Sequence, residues 1–184
     1  MAERHPTSVP YRAGTDGYHT FRIPAVVVTR AGTVLAFAEG RHGSAGDSGH
    51  IDLVLKSSTD GGGTWGELRV VAAEPRQGTV GNPAPVVTAD GRIILVSVRQ
   101  GPAATEKKIR RGEVAAADGR RVYVQHSDDD GLTWRPVHTV SGLPAAYSDL
   151  TAVDAGTIGL LYETGDFGPY ASIAFRRIAA AELA

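Results

Sequence analysis

Ser58-Thr59-Asp60-Gly61-Gly62-Gly63-Thr64-Trp65 reads S-x-D-x-G-x-T-W, and the same pattern returns at Ser127-Asp128-Asp129-Asp130-Gly131-Leu132-Thr133-Trp134. Each residue type in it has a physical reason. An Asp side chain bonds backbone N–H groups two or three residues on and holds a tight turn. A Gly supplies a positive φ without steric cost. The Thr opens the next strand, and the Trp buries a large face between packed sheets. One copy is an ordinary turn signal. Two near-identical octapeptides, each preceded by a β-rich run, are a repeat signal. The octapeptide is read as a folding element that does no chemistry.

Working outward, short β-type runs recur between Gly, Pro and Asp punctuation. Phe21 to Thr29, Thr33 to Glu39, Ile51 to Ser57 and Trp65 to Ala73 form a first set, with the octapeptide between its third and fourth strands. Pro83 to Thr88, Arg92 to Arg99, Arg121 to His126 and Trp134 to Val140 form a second. Tyr147 to Val153, Thr157 to Glu163 and Ala171 to Ile178 form a third, followed by a short helical tail over 179–184. The polar stretch Gln100 to Gly119 reads as a solvated loop. Four-stranded units recurring about every 60 residues are propeller blades. The expected fold is therefore all-β, a β-propeller of four-stranded antiparallel blades, with about three blades in a single partial domain over 1–184 (blades about 21–73, 83–140 and 147–178). The third unit lacks a fourth strand, which Ser8 to Arg12 is expected to supply. Three blades leave two blade faces without a neighbour, since a closed ring takes about four to eight.

Composition narrows the function. The 184 residues suffice for one domain with a real core. A net charge of -1 gives no field for nucleic acid, and Cys 0 excludes disulfides and thiolate metal sites. No apolar run is long enough for a membrane helix. The opening residues show no apolar leader, so the expectation is a cytoplasmic protein. The histidines, His126 and His138 among them, show no ligand spacing. Neither a metal nor another cofactor is expected.

The chemistry-bearing residues are few. Arg22 stands in the apolar strand start Phe21-Arg22-Ile23-Pro24, where a surface Arg on an edge strand is equally reasonable. Arg41 and Asp47 lie in a Gly/Ser-rich loop, a setting that often means only turns. Tyr147 opens a strand, as a buried aromatic would. Glu163 ends an apolar strand and needs a partner there. Asn82 stands at a blade start.

Together these segments resemble the sialidase (exo-α-sialidase, neuraminidase) family, whose Asp-box the octapeptides match. Phe21 to Pro24 is similar to its first-arginine motif, Ala38-Glu39-Gly40-Arg41 through Asp47 to its acid/base loop, Ala146 to Leu150 to its nucleophile segment, and Leu161-Tyr162-Glu163 to its late glutamate. The resemblance covers nearly the whole chain in the right order. It implies a glycoside hydrolase that cleaves terminal sialic acid from glycoconjugates with retention. Arg22 would bind the substrate carboxylate through its fork and Glu163 would orient Arg22. Asp47 would be the general acid/base and Tyr147 the nucleophile, a known exception to the two-carboxylate rule. Arg41 would contact the sugar and Asn82 would line the pocket.

The family pattern also implies a six-bladed ring and a catalytic domain roughly twice as long. The glutamate that activates the tyrosine and two further arginines have no counterpart here. Three expectations follow: an active sialidase whose ring is completed by a homodimer, with Tyr147 approaching the partner copy's arginine; a sialoside-binding or interaction module without turnover; or an internally deleted, inactive sialidase.

Overall fold

The run Ile93-Ile94-Leu95-Val96 lies in a strand buried on both faces, and its alternation divides the core in two. Ile93 and Leu95 point to one side and pack with Leu35, Phe37, Leu53, Leu55 and Val80. Ile94, Val96 and Val98 point to the other and pack with Val122, Val124, Ile158, Leu160 and Ile178. Successive strand residues face opposite sides, so a continuous apolar run marks a strand covered on both. This strand is the second of the middle blade, and the two clusters are the interfaces between blades.

In the computed structural model, all residues are described except 1–6, 112, 115–118, 120, 142–144, 166–169 and 184. The first blade comprises β1 (Thr20–Val28), β2 (Val34–Arg41), β3 (Ile51–Ser58) and β4 (Arg69–Ala72), paired antiparallel in sequence order. The second comprises β5 (Thr79–Val87), β6 (Ile93–Gln100), β7 (Arg121–Ser127) and β8 (Arg135–Ser141), paired the same way. A single parallel pair, Ile51 with Thr79, joins the two sheets at one end. The third blade is a three-stranded sheet of β9 (Ala145–Asp154), β10 (Thr157–Thr164) and β11 (Ser172–Ala179), followed by a 3-10 turn over Ala180–Leu183.

The blades thus follow the expected plan, with differences of detail. β4 is shorter than expected. The loop after β6 carries a short helix, α1 (Glu106–Arg110), whose N-cap is Thr105; part of the expected loop lies outside the described residues. The segment Ser8 to Arg12 adds no strand to the third blade. It lies against the first, where the Ser8 hydroxyl donates to Gly62 O and accepts from the Trp65 indole at 2.9 Å. Tyr11 Oη donates to Ala36 O at 2.7 Å. The reason is apolar: Tyr11, Tyr18 and Phe21 cover Ala38 and Val54 on the outer side of that blade.

Both octapeptides close with one set of bonds. The Asp60 carboxylate accepts from the Thr64 amide (2.9 Å) and hydroxyl (2.7 Å), and Asp129 does the same with Thr133 (2.8 and 2.6 Å). The reach is four residues, one more than the upper end of the expected two or three. The Ser hydroxyl donates to this Asp and accepts from the Gly amide four residues on. Trp134 then packs edge-on against Phe37, ring centroids 5.8 Å apart, so the second octapeptide staples its blade to the one before.

Candidate active site

Three irregularities in the innermost strands build the site. In β1 the register slips between Arg22 and Ala25, in β5 between Gly81 and Ala84, and in β9 between Ala145 and Ser148. Each slip sets one extra residue against the partner strand, a β-bulge that re-aims the side chains beside it. Ile23 and Asn82 occupy the first two bulges with φ of 53° and 52°, each followed by a Pro, which has no N–H to leave unpaired. A β-branched residue at positive φ is a true outlier, and such strain gathers at functional sites. The sequence carried a signal for this: Ile23-Pro24-Ala25 and Asn82-Pro83-Ala84 occupy equivalent places in aligned hairpins.

The bulges face a pocket lined by Ile23, Glu39, Arg41, Asp47, Asn82 and Tyr147, with Thr79, Gly81, Val98 and Tyr170. Behind it runs a charge chain. Glu39 and Arg41 are two apart on β2 and share a face. Glu39 is 4% and Arg41 2% exposed. Glu39 Oε2 accepts from Arg41 Nε at 3.0 Å and from Nη2, while its Oε1 accepts the Asn82 N–H at 3.0 Å. Gly81 is required for that approach, because a Cβ there would sit 2.1 Å from Glu39 Oε1. Arg41 Nη1 donates to the carbonyls of Ala45 (2.6 Å) and Gly46 (2.9 Å) and pairs with Asp47 Oδ1 at 2.8 Å. Arg22 Nη1 reaches the same oxygen at 2.8 Å, and the Asp47 side chain remains 59% exposed.

Five of the six expected residues meet here: Asp47, Arg41, Asn82 and Tyr147 line the pocket, and Arg22 is bonded to Asp47. Arg41, expected to contact the sugar, has its donors on Glu39 and the Asp47 loop. Glu163 also departs from expectation. It accepts the Tyr147 N–H at 3.2 Å across the third bulge, and Arg22 pairs with Asp47 instead. Glu39 and Tyr170 also line the pocket, without a role in the sequence motifs. The Glu39 signal was its place two residues before an Arg in an otherwise apolar strand. Tyr147 is 56% exposed, not a buried aromatic. Tyr147 and Asp47 share one pocket within one chain, so Tyr147 need not reach a partner copy. His42, His50 and Asp52, which show no ligand spacing along the chain, also converge.

Residues 32–150 match the BNR repeat-like domain family. Over 166 residues the chain is 36% identical to the exo-alpha-sialidase of Arthroderma benhamiae, an alignment covering 82% of this chain and 40% of that protein. The chain belongs to the sialidase family. Among solved structures, the Hadza microbial sialidase Hz136 superposes with a TM-score of 0.71 at 24% identity, covering 89% of this chain and 36% of that one. The intramolecular trans-sialidase from Ruminococcus gnavus, solved with oseltamivir carboxylate, also gives 0.71 at 16% identity, covering 93% and 60%. These likenesses show a sialidase β-propeller fold with an unclosed ring. This family member spans 40% of the length of the Arthroderma benhamiae relative. Among its described residues no helix is long and apolar enough to cross a membrane.

Proposed function

We propose that this chain carries part of the active site of a retaining exo-α-sialidase acting on sialylated glycans. The observation behind this reading is that Asp47 of the first blade and Tyr147 of the third line one pocket, with Arg22 bonded to Asp47. Tyr147 Oη attacks the anomeric carbon, and the bond to the departing oxygen breaks as Asp47 protonates it. Asp47 then takes a proton from water, and that water displaces the tyrosine from the same carbon. Two inversions give net retention. A neutral phenol suits this task, because the substrate carboxylate would repel an anionic nucleophile. Arg22 exchanges Asp47 for that carboxylate, which a guanidinium fork matches in two bonds. Arg41 and Glu39 hold the loop that aims Asp47.

Two requirements are unmet among the described residues of a single copy. The phenol must pass its proton to a base, and among the described residues no carboxylate bonds the Tyr147 hydroxyl. Arg41 is committed to Glu39, which leaves Arg22 as the guanidinium available for the substrate carboxylate at this pocket among the described residues. We therefore propose that turnover depends on further blades, and that a second copy packed on the open faces supplies them, three blades and three making a ring of six. The same shortfall supports a second reading, a sialoside-binding module without turnover.

Hydrolysis of a fluorogenic sialoside by purified protein tests both, with sialic acid titration alongside. Turnover that falls at least about 10²-fold in Tyr147→Phe supports the enzyme. Saturable binding with no turnover supports the binding module. Neither binding nor turnover overturns both.

A further inference from the structure

The loop that bears Asp47 is closed at its base by two histidines. His42 follows β2 and His50 precedes β3, and the His42 N–H donates to the His50 carbonyl at 3.1 Å. Their imidazoles stack with centroids 3.7 Å apart and planes 10° from parallel. Both point their Nε2 atoms at one carboxylate. His42 Nε2 lies 2.8 Å from Asp52 Oδ2, and His50 Nε2 lies 3.7 Å from Asp52 Oδ1. Asp52 is only 6% exposed, while each histidine side chain is 33% exposed. Tyr18 Oη donates to Asp52 Oδ2 at 2.9 Å, which fixes the carboxylate in place. Asp52 Oδ1 is buried and has no hydrogen-bond partner.

An orphaned, buried carboxylate oxygen aimed between two solvent-facing imidazoles calls for a cation. The three ligand atoms all lie within 4.8 Å of one another. Zinc bonds to nitrogen and oxygen run about 2.0–2.2 Å, so the edge of a tetrahedral site is about 3.4 Å. The separation of His50 Nε2 from Asp52 Oδ1 is already close to that edge, and the shorter His42 contact is the spacing of a shared proton. A ligand set of two imidazoles and one carboxylate, with no thiolate, suits zinc and its divalent neighbours.

We propose that His42, His50 and Asp52 form a binding site for a divalent transition-metal ion, with zinc as its reference ligand, which clasps the base of the Asp47 loop. On binding, the ion takes the place between His42 Nε2 and Asp52, and the ring proton moves through solvent to Nδ1, so that a neutral imidazole is the ligand. Each ring tilts out of the stack so that its lone pair meets the common ion, which partial exposure of both side chains permits. Water occupies the remaining position. The site is separate from the substrate pocket, and its function is to pin the two ends of the loop.

The test is titration of zinc into chelator-stripped, untagged full-length protein by calorimetry, with cobalt absorption as the report on coordination. Expected are one equivalent bound, with a dissociation constant on the order of micromolar, and the visible bands of four-coordinate cobalt. His50→Ala should weaken binding about 100-fold and abolish those bands. His50 is partly exposed and outside the core, and its circular-dichroism melt verifies the fold. His126→Ala, remote from the loop, should bind as wild type. Absence of saturable binding in wild type overturns the proposal. Undiminished binding in folded His50→Ala also overturns it.

Discussion

A buried guanidinium is tolerable only where its donors are satisfied, and Arg41 meets that condition through Glu39, two loop carbonyls and Asp47. Its two carboxylate partners should behave differently under mutation. Glu39 is buried with it, so Glu39→Gln removes the buried one of its two counter-ions, at a cost of about 3–5 kcal/mol. For a chain of this size that lowers Tm by roughly 10 °C or more. Asp47 is 59% exposed on its side chain, and solvent screens its pairs. Asp47→Asn should therefore change stability by about 1 kcal/mol or less, while removing the proposed acid. Thermal melts of the two variants decide it. Equal, small losses would mean that the buried pair contributes no more than the exposed one. This contrast also marks a limit of the sequence. Arg41 and Asp47 are legible as a motif, but Glu39, the buried partner of Arg41, is met by Asn82 and Gly81, about forty residues away on another blade.

At the scale of the element, the octapeptides are the most legible feature because the bonds that close their turns are local. A Ser, an Asp, a Gly and a Thr within seven residues satisfy one another, and no distant partner decides the outcome. The segment Ser8 to Arg12 departs from its expected place for the opposite reason. Its place is chosen by Tyr11 covering an apolar patch on the first blade, which short-range pattern does not reveal. The bulges lie between these cases, since an X-Pro step marks two of them while the third, at Tyr147, has no Pro. The octapeptide bonds also carry a pH dependence. For Asp129, burial raises the carboxyl, but bonds from the Thr133 hydroxyl and amide and the Ser127 hydroxyl outweigh it and hold the group down at about 2. Asp60 is lowered too, chiefly by the Ser58 hydroxyl and then the Thr64 bonds. The folded values lie below the ordinary 3.8, so this stabilisation is complete above about pH 4 and is lost as pH falls toward 2. Asp129→Asn should melt several degrees below wild type at neutral pH, and the two Tm curves should converge near pH 2. Parallel curves down to that pH would show that the ionised carboxylate is not what holds the turn.

The whole molecule ends in two unlike faces. On the first blade, Tyr11, Tyr18 and Phe21 shield part of the outer side, while Val26 and Val28 on β1 stay 64% and 57% exposed. On the third blade the alternation that buries Ile158 and Leu160 against the middle blade sends Leu161 outward. There it pairs across the strands with Phe175, beside Ile173, at 46%, 56% and 68% exposure respectively. In a closed propeller each such face meets the next blade, and closure typically takes four to eight. Exposed apolar faces of this kind are contact surfaces or aggregation sites. If the proposed second copy covers them, the state in solution is a concentration-dependent dimer. Ile173→Lys combined with Leu161→Lys places two cations on that face and should yield a monomer. Its Tm should stay within a few degrees of wild type measured at a concentration where wild type is also monomeric, because neither side chain supports the inner core. Sedimentation of wild type and the double variant, with sialoside turnover measured on the same samples, gives the decisive comparison. Turnover that disappears with the dimer ties catalysis to ring completion. Turnover that persists in the monomer means that three blades hold every catalytic group, and that Tyr147 loses its proton to a group already on this chain or to water. A wild type that sediments as a monomer at every concentration removes the second copy from the account and leaves the open faces to some other partner.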